Sequence, residues 1–226
     1  MKTFPSLLLF FLVFVAIINA ADATDAPVRS PNADWNEKTD YTALRMKCAS
    51  APDYNAYAYQ VVEKMLIKNA MEEWDKKDGN AAKALGMLMD AAKSCPLSIE
   101  INRRIADGCA VLSGSIKNPE DKKALQEIET HYRTISEGLL KSIVASGDGK
   151  SPKTAYKVIS IPEEYMTLWY LGLEPEGQSV GKSDGVTCDI LSVKDRKTGK
   201  KSDVYFDITL FYDKSEPDAQ KSKTTP

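Results

Sequence analysis

Through the first two thirds of the chain, apolar residues recur every three or four positions; through most of the rest they alternate every two. From about Asn55 to Asp75, Ala58, Val62, Met65, Leu66, Ala70 and Trp74 share one side of a helical projection. That pattern predicts an amphipathic helix with those residues buried. A second helix is predicted from about Asn80 to Ser94 on Ala81, Ala84, Leu85, Leu88, Met89 and Ala92, ending before Pro96. A third spans about Ser98 to Ser113 on Ile101, Ile105, Cys109 and Leu112, with Gly114 as its stop. The fourth is long, about Pro119 to Ala145. It opens on Asn118-Pro119-Glu120-Asp121, a capping residue, a proline in the first turn and two acids suited to the helix dipole.

The pattern changes after Ser146-Gly147-Asp148-Gly149-Lys150-Ser151-Pro152-Lys153-Thr154-Ala155. Tyr156 to Ile161 is a near-continuous apolar run that predicts a buried strand. Pro162-Glu163-Glu164 starts a short helix burying Tyr165, Leu168 and Trp169, its two acids placed for the helix dipole. Glu174 to Val180 is a short strand and Gly181 to Gly185 a turn. Val186 to Lys194 alternates, with Val186, Cys188 and Ile190 on one face. Asp195 to Lys200 makes a hairpin loop, and Val204, Phe206, Ile208 and Leu210 return. The predicted fold is α+β: a short tetratricopeptide-like four-helix layer packed on a small, mostly antiparallel sheet with one extra helix. The tetratricopeptide cadence rests on Ala84-Leu85, Ala91-Ala92 and the closing Pro96, at a repeat of about 34 residues. One and a half units are visible, fewer than the three a free-standing solenoid needs, so the layer must lean on the sheet.

The two ends read differently. Lys2 precedes an unbroken apolar run, Leu7 to Ile18, followed by Asn19, Ala20 and Ala21. This is the pattern of a secretory signal peptide cleaved near Ala20, and the run is too short for a membrane anchor. Residues 1–20 are then the signal, 21–38 a flexible lead-in, 39–145 the helical half and 146–212 the α+β half, the two halves forming one unit. Residues 213–226 are a charged, proline-containing tail expected to be disordered. The expected location is secreted or periplasmic, with no membrane association after signal removal.

Charge and cysteine content narrow the chemistry. Net charge is -2, with acids and bases interspersed, which leaves no stripe for nucleic acid. With 4 cysteines, no CxxC pair and 1 histidine, a zinc cluster is not expected. No metal or cofactor is expected. The cysteines are either buried thiols or include one bridge. In an antiparallel helix pair the start of the first helix lies beside the end of the second, which brings Cys48 to Cys95. Cys109 sits about 20 Å away along the third helix.

Candidate chemistry is sparse. Gly149-Lys150-Ser151 resembles the end of a nucleotide-binding loop. The full pattern needs glycine where Val144 stands, and a strand before rather than a helix. A tight helix-to-strand turn fits better, with both Gly147 and Gly149 at positive φ and Asp148 bonding local amides. Asp148, Ser151 and Thr154 can still line a surface site, without the further acids of a calcium loop. Asp189 and Asp207, on two neighbouring strands opposite the apolar faces, form a possible carboxylate pair. No catalytic constellation is assembled around His131 or any cysteine.

A wider set of residues carries a resemblance. Tyr41-Thr42-Ala43-Leu44-Arg45, Cys95-Pro96-Leu97, Ser146 to Pro152, Thr154-Ala155-Tyr156, Glu164-Tyr165, Leu171-Gly172-Leu173, Asp189-Ile190-Leu191 and Tyr205-Phe206-Asp207-Ile208 occur in this order. Over about residues 40 to 212 the chain resembles an uncharacterised family of mostly bacterial exported proteins. The resemblance implies a tetratricopeptide-like helical half joined to a small sheet-forming half, and export. It implies no activity. The chain departs from the family pattern at Asn102, where histidine is more usual, and at Cys188, where an aromatic is more usual. The functional expectation is an exported, non-enzymatic binding or adaptor protein holding a protein or peptide on its helical concavity. The alternatives are a hydrolase or carbohydrate-acting protein using Asp148, Asp189 and Asp207 in one cleft, and an exported inhibitor or immunity-type protein.

Overall fold

A computed structural model of the chain describes residues 32–183 and 185–215. The expected signal peptide, most of the lead-in and the end of the tail lie outside the described residues. From Asp34 onward the chain clusters as one unit. Among the described residues, seven helices and a four-stranded mixed sheet make the fold α+β.

Five helices come first: α1 (Tyr41–Ser50), α2 (Ala56–Asp75), α3 (Ala81–Ser94), α4 (Ile99–Ser115) and α5 (Pro119–Val144). Each begins where a short polar side chain can take an otherwise unpaired backbone N–H. Asp40, Asn55, Asn80, Ser98 and Asn118 cap them in turn. Gly114 does not end α4, which runs one residue beyond it.

The roll of α2 differs from the periodic expectation. Glu63, Ile67, Ala70 and Glu73 face inward. Of the predicted stripe only Ala70 is buried, while Ala58, Val62 and Met65 are exposed. Hydropathy ranks the faces of a helix by apolar content. Here two acids turn inward because partners wait for them: Ser98 for Glu63, and Lys76 and Lys83 for Glu73.

The turn after α5 is held by backbone bonds. Asp148 N and Gly149 N both donate to Thr154 O, at 2.9 and 2.8 Å, and Gly149 O accepts from Tyr205 N at 2.9 Å. Of the two glycines in this turn, Gly149 alone takes positive φ, at 66°, so the expectation for Gly147 is corrected. A Cβ on Gly147 would stand 2.3 Å from Thr154 O. That position is glycine for close approach, not for handedness.

A single 3₁₀ turn (Pro152–Thr154) leads into β1, which is only Tyr156–Lys157. The predicted longer strand is cut short because side chains take the backbone of Ile159. Its N–H donates to Glu163 Oε2 at 2.8 Å, and its carbonyl accepts from Tyr54 Oη at 2.7 Å. Helix α6 (Ile161–Tyr170) follows, then β2 (Leu173–Ser183), β3 (Val186–Asp195), β4 (Lys201–Asp207) and α7 (Thr209–Ser215). The sheet order is β1-β4-β3-β2, with β1 parallel to β4 and the other pairs antiparallel. The last strand stops before Leu210. Asp207 Oδ1 accepts from Thr209 N at 3.1 Å and starts α7, which reaches into the expected tail.

Register settles the faces. Asp189 pairs with Phe206 and Leu191 with Val204, so these four share one side of the sheet. Cys188 pairs with Asp207 and Ile190 with Tyr205, on the other side. Helix α6 joins the layers, packing against α2, α4, α5 and β2.

Candidate functional site

The first turn of α6 carries two adjacent acids that point in opposite directions. Both are buried, which corrects the expectation that the helix dipole alone accounts for them. Glu163 turns to the helical layer. Its Oε1 accepts from Arg45 Nε at 2.8 Å and its Oε2 from Arg45 Nη2 at 2.7 Å. Arg45 is fully buried and also donates to Ser142 Oγ at 3.1 Å and to Lys157 O at 2.7 Å. A planar guanidinium with donors in a fixed fork is the side chain suited to such a junction. One residue thus ties α1 to α5, β1 and α6.

Glu164 turns to the sheet and meets Asp189 of β3. Burial raises Glu164 well above the usual carboxylate range, and the Asp189 charge adds to it. Burial raises Asp189 as well, against a hydrogen bond from Gln178 Nε2 on β2. Two ionised carboxylates offer each other no donor. With one proton on Glu164 the carboxyl donates to Asp189, and the pair holds a single negative charge.

A third acid lies on the far side of α6. Glu63 of α2 accepts from Ser98 Oγ through Oε1, and the same hydroxyl caps α4 by accepting from Ile101 N at 3.0 Å. Glu63 Oε2 has no protein hydrogen-bond partner. Burial pushes Glu63 up to about 7, against the lowering effect of Ser98. It lines a small, partly enclosed cavity of about 10 Å³, the room of about one water molecule, with Tyr59, Ser160 and Glu163.

Tyr59 also lines an open groove of about 390 Å³ with Cys48, Tyr54, Ala58, Val62 and Cys95. The Tyr54 and Tyr59 rings stand 6.2 Å apart. Beyond the groove, Tyr57, Val61 and Met65 lie one helical turn apart on α2 and are 70%, 48% and 52% exposed.

The sequence-predicted site residues do not gather. Asp148, Ser151 and Thr154 form one exposed turn. There Asp148 Oδ1 accepts from Lys150 N at 3.1 Å, and Ser151 Oγ and Thr154 Oγ1 are 3.0 Å apart. Hydrogen bonds from Thr154 and the Lys150 amide hold Asp148 below the usual carboxylate range. Asp189 is buried against α6, and Asp207 lies on the opposite face of the sheet. The expected carboxylate pair is therefore corrected: a one-residue difference in strand parity separates them. Cys48 and Cys95 do line the same groove, and both are free thiols, which is the buried-thiol alternative rather than the bridge. Burial raises Cys48, as does the Glu163 charge. Burial with the Glu63 charge pushes Cys95 up to about 11. Thiols so raised stay protonated and attack disulfides slowly. Among the described residues no group of three His, Cys, Asp or Glu side chains is placed to hold a metal, and no helix is long and apolar enough to cross a membrane.

Sequence reasoning missed Arg45, Glu63 and the burial of Glu163 and Glu164. The available signal was an acid set within an apolar stretch, Val61-Val62-Glu63, and two acids directly after a buried run. Residues 32–216 match the family model of a domain of unknown function, DUF4919. No curated protein and no solved structure gives a significant match.

Proposed function

We propose that this chain, which belongs to the DUF4919 family, is an exported, non-enzymatic binding protein. Its tetratricopeptide-like helical layer takes a protein or peptide segment along α2 and the adjoining groove. The observation that carries this reading is the exposed apolar row Tyr57, Val61 and Met65 beside a groove walled by Tyr54, Tyr59 and Val62. An apolar row left on the surface next to a concavity is the usual mark of a docking site. Export rests on the N-terminal pattern of Lys2, the apolar run to Ile18 and the small residues at Ala20 and Ala21. Cleavage near Ala20 delivers the chain to the periplasm or the medium.

The hydrolase reading has less support, because Asp148, Asp189 and Asp207 share no cleft. An inhibitor or immunity role is one form of the same binding activity, and the identity of the partner decides it. The test is capture by the mature chain, with the double variant Val62→Glu/Met65→Glu as control. A partner retained by the wild type and lost by the variant supports the reading. Equal capture by both, or none by either, sinks it.

A further inference from the structure

The seam between α2 and the bases of α4 and α6 is built around one acid. Glu63 is only 2% exposed, one of its oxygens has no protein partner, and the residue lines a cavity of about 10 Å³. Its surroundings offer little for a negative charge. From α2 itself come Tyr59, which also lines the cavity, and Lys64, which is exposed. From α4 come Ser98, which donates one hydrogen bond, and Glu100. From the end of α3 comes the Cys95 thiol, and from the loop before α2 the Tyr54 phenol, both themselves raised in part by Glu63. From α6 comes Glu163, whose carboxylate is already taken by Arg45 of α1.

Ionised, Glu63 is a buried charge with a single hydrogen bond and two acids for neighbours. Such a group relaxes by admitting water or by moving out of the seam. Protonated, it is neutral and the seam closes without that cost. Glu63 is the first buried residue of α2, since Tyr57 and Val61 before it are exposed, and the other inward residues, Ile67, Ala70 and Glu73, lie further along the helix. Tyr59, one turn earlier on the same helix, lines both the cavity and the groove. Any movement of the seam is therefore passed to the groove wall.

We infer that Glu63 is a proton-operated latch: with its proton it closes α2 onto α4 and α6, and without it the seam opens and the groove is reshaped at Tyr59. The latch concerns the same groove as the binding reading but needs no occupant, so it stands or falls on the free protein. Its operating range lies near neutral pH, where burial places Glu63.

The test is a carbon-detected NMR titration of the glutamate carboxyls of the full mature chain, with Glu63→Gln to assign the Glu63 signal. Amide hydrogen exchange is measured alongside. The expected midpoint is near 7, with the Ile101 and Ile159 amides losing protection by roughly tenfold or more between pH 6 and 8, after correction for intrinsic exchange. The variant Ser98→Ala, which removes the hydrogen bond that lowers Glu63, moves the midpoint upward. In Glu63→Gln the protection stays level across the range. A wild-type midpoint in the ordinary carboxylate range overturns the latch, and so does level protection in the wild type.

Discussion

Arg45 and Glu163, 118 positions apart, meet as a buried two-point ion pair, with contacts of 2.8 and 2.7 Å. The pair closes the chain on itself, since α1 begins the helical layer and α6 joins that layer to the sheet. Removing one partner leaves the other charged and buried, which costs about 3–5 kcal/mol. Arg45→Met is expected to lose about that much in urea unfolding. The double variant Arg45→Met/Glu163→Met is expected to lose less, because no charge is stranded. Its remaining cost is the unmade bonds to the Ile159 amide, the Lys157 carbonyl and the Ser142 hydroxyl, of which the buried amide alone is about 1–3 kcal/mol. An Arg45→Met variant within 1 kcal/mol of the wild type contradicts the assignment of this pair as the central tie.

Stability is expected to fall as pH rises. Glu63 moves from an ordinary 4.5 to about 7 on folding, so the folded state binds more protons across that interval. Its contribution is complete below about 4.5 and is lost as pH climbs to about 7, a decline of roughly 3 kcal/mol. The raised Glu164–Asp189 pair continues the decline in the same direction. Urea unfolding at pH 5 and pH 8 measures it, and equal or greater stability at pH 8 contradicts these placements.

The shared proton of Glu164 and Asp189 has its own signature. Glu164→Gln keeps a donor facing Asp189 and removes the titrating carboxyl. It is expected to fold, to change stability by about 1 kcal/mol or less at pH 6, and to lose the alkaline part of the decline. Glu164→Leu leaves buried Asp189 with only Gln178 and the Ile190 amide and is expected to cost about 2–4 kcal/mol at pH 7. Thermal unfolding of the two variants, compared across pH, separates these outcomes.

Two helical glycines give opposite expectations. A Cβ on Gly138 of α5 would lie 2.2 Å from the Tyr41 ring, so Gly138→Ala is expected to destabilise by about 1–3 kcal/mol through overpacking. At Gly114 nothing lies within 4 Å, and Gly114→Ala is expected to stabilise α4 by about 0.5–1 kcal/mol. Paired melting curves decide both signs. A destabilised Gly114→Ala would show that α4 does not extend past that position.

Much of the fold is legible in the sequence, for identifiable reasons. Asn55, Asn80, Ser98 and Asn118 mark helix starts that capping chemistry fixes locally. The Asp195 hairpin is also local, with Asp195 Oδ1 accepting from Lys197 N and Thr198 N. The candidate site is not legible, because it depends on partners far away in sequence. Glu63 faces inward because Ser98 meets it, and the Ile159 backbone leaves the sheet because Tyr54 and Glu163 bond it. Periodicity places Val62 and Met65 in the core, whereas the roll of α2 puts them outside. Alternation places Asp189 and Asp207 together, whereas the register puts them on opposite faces.

The exposed row Tyr57, Val61 and Met65 and the groove wall at Val62 carry the functional proposal, so substitution of one residue from each gives the sharpest test. Val62→Glu/Met65→Glu alters only exposed positions and is expected to leave stability within about 0.5 kcal/mol of the wild type. Affinity capture is run in parallel with the wild-type and doubly substituted mature chains, against the medium and envelope of the producing cells. A stoichiometric protein or peptide partner is expected on the wild type, with at least a tenfold loss on the equally stable variant. An undiminished yield on the variant, or no partner on the wild type, contradicts the proposal.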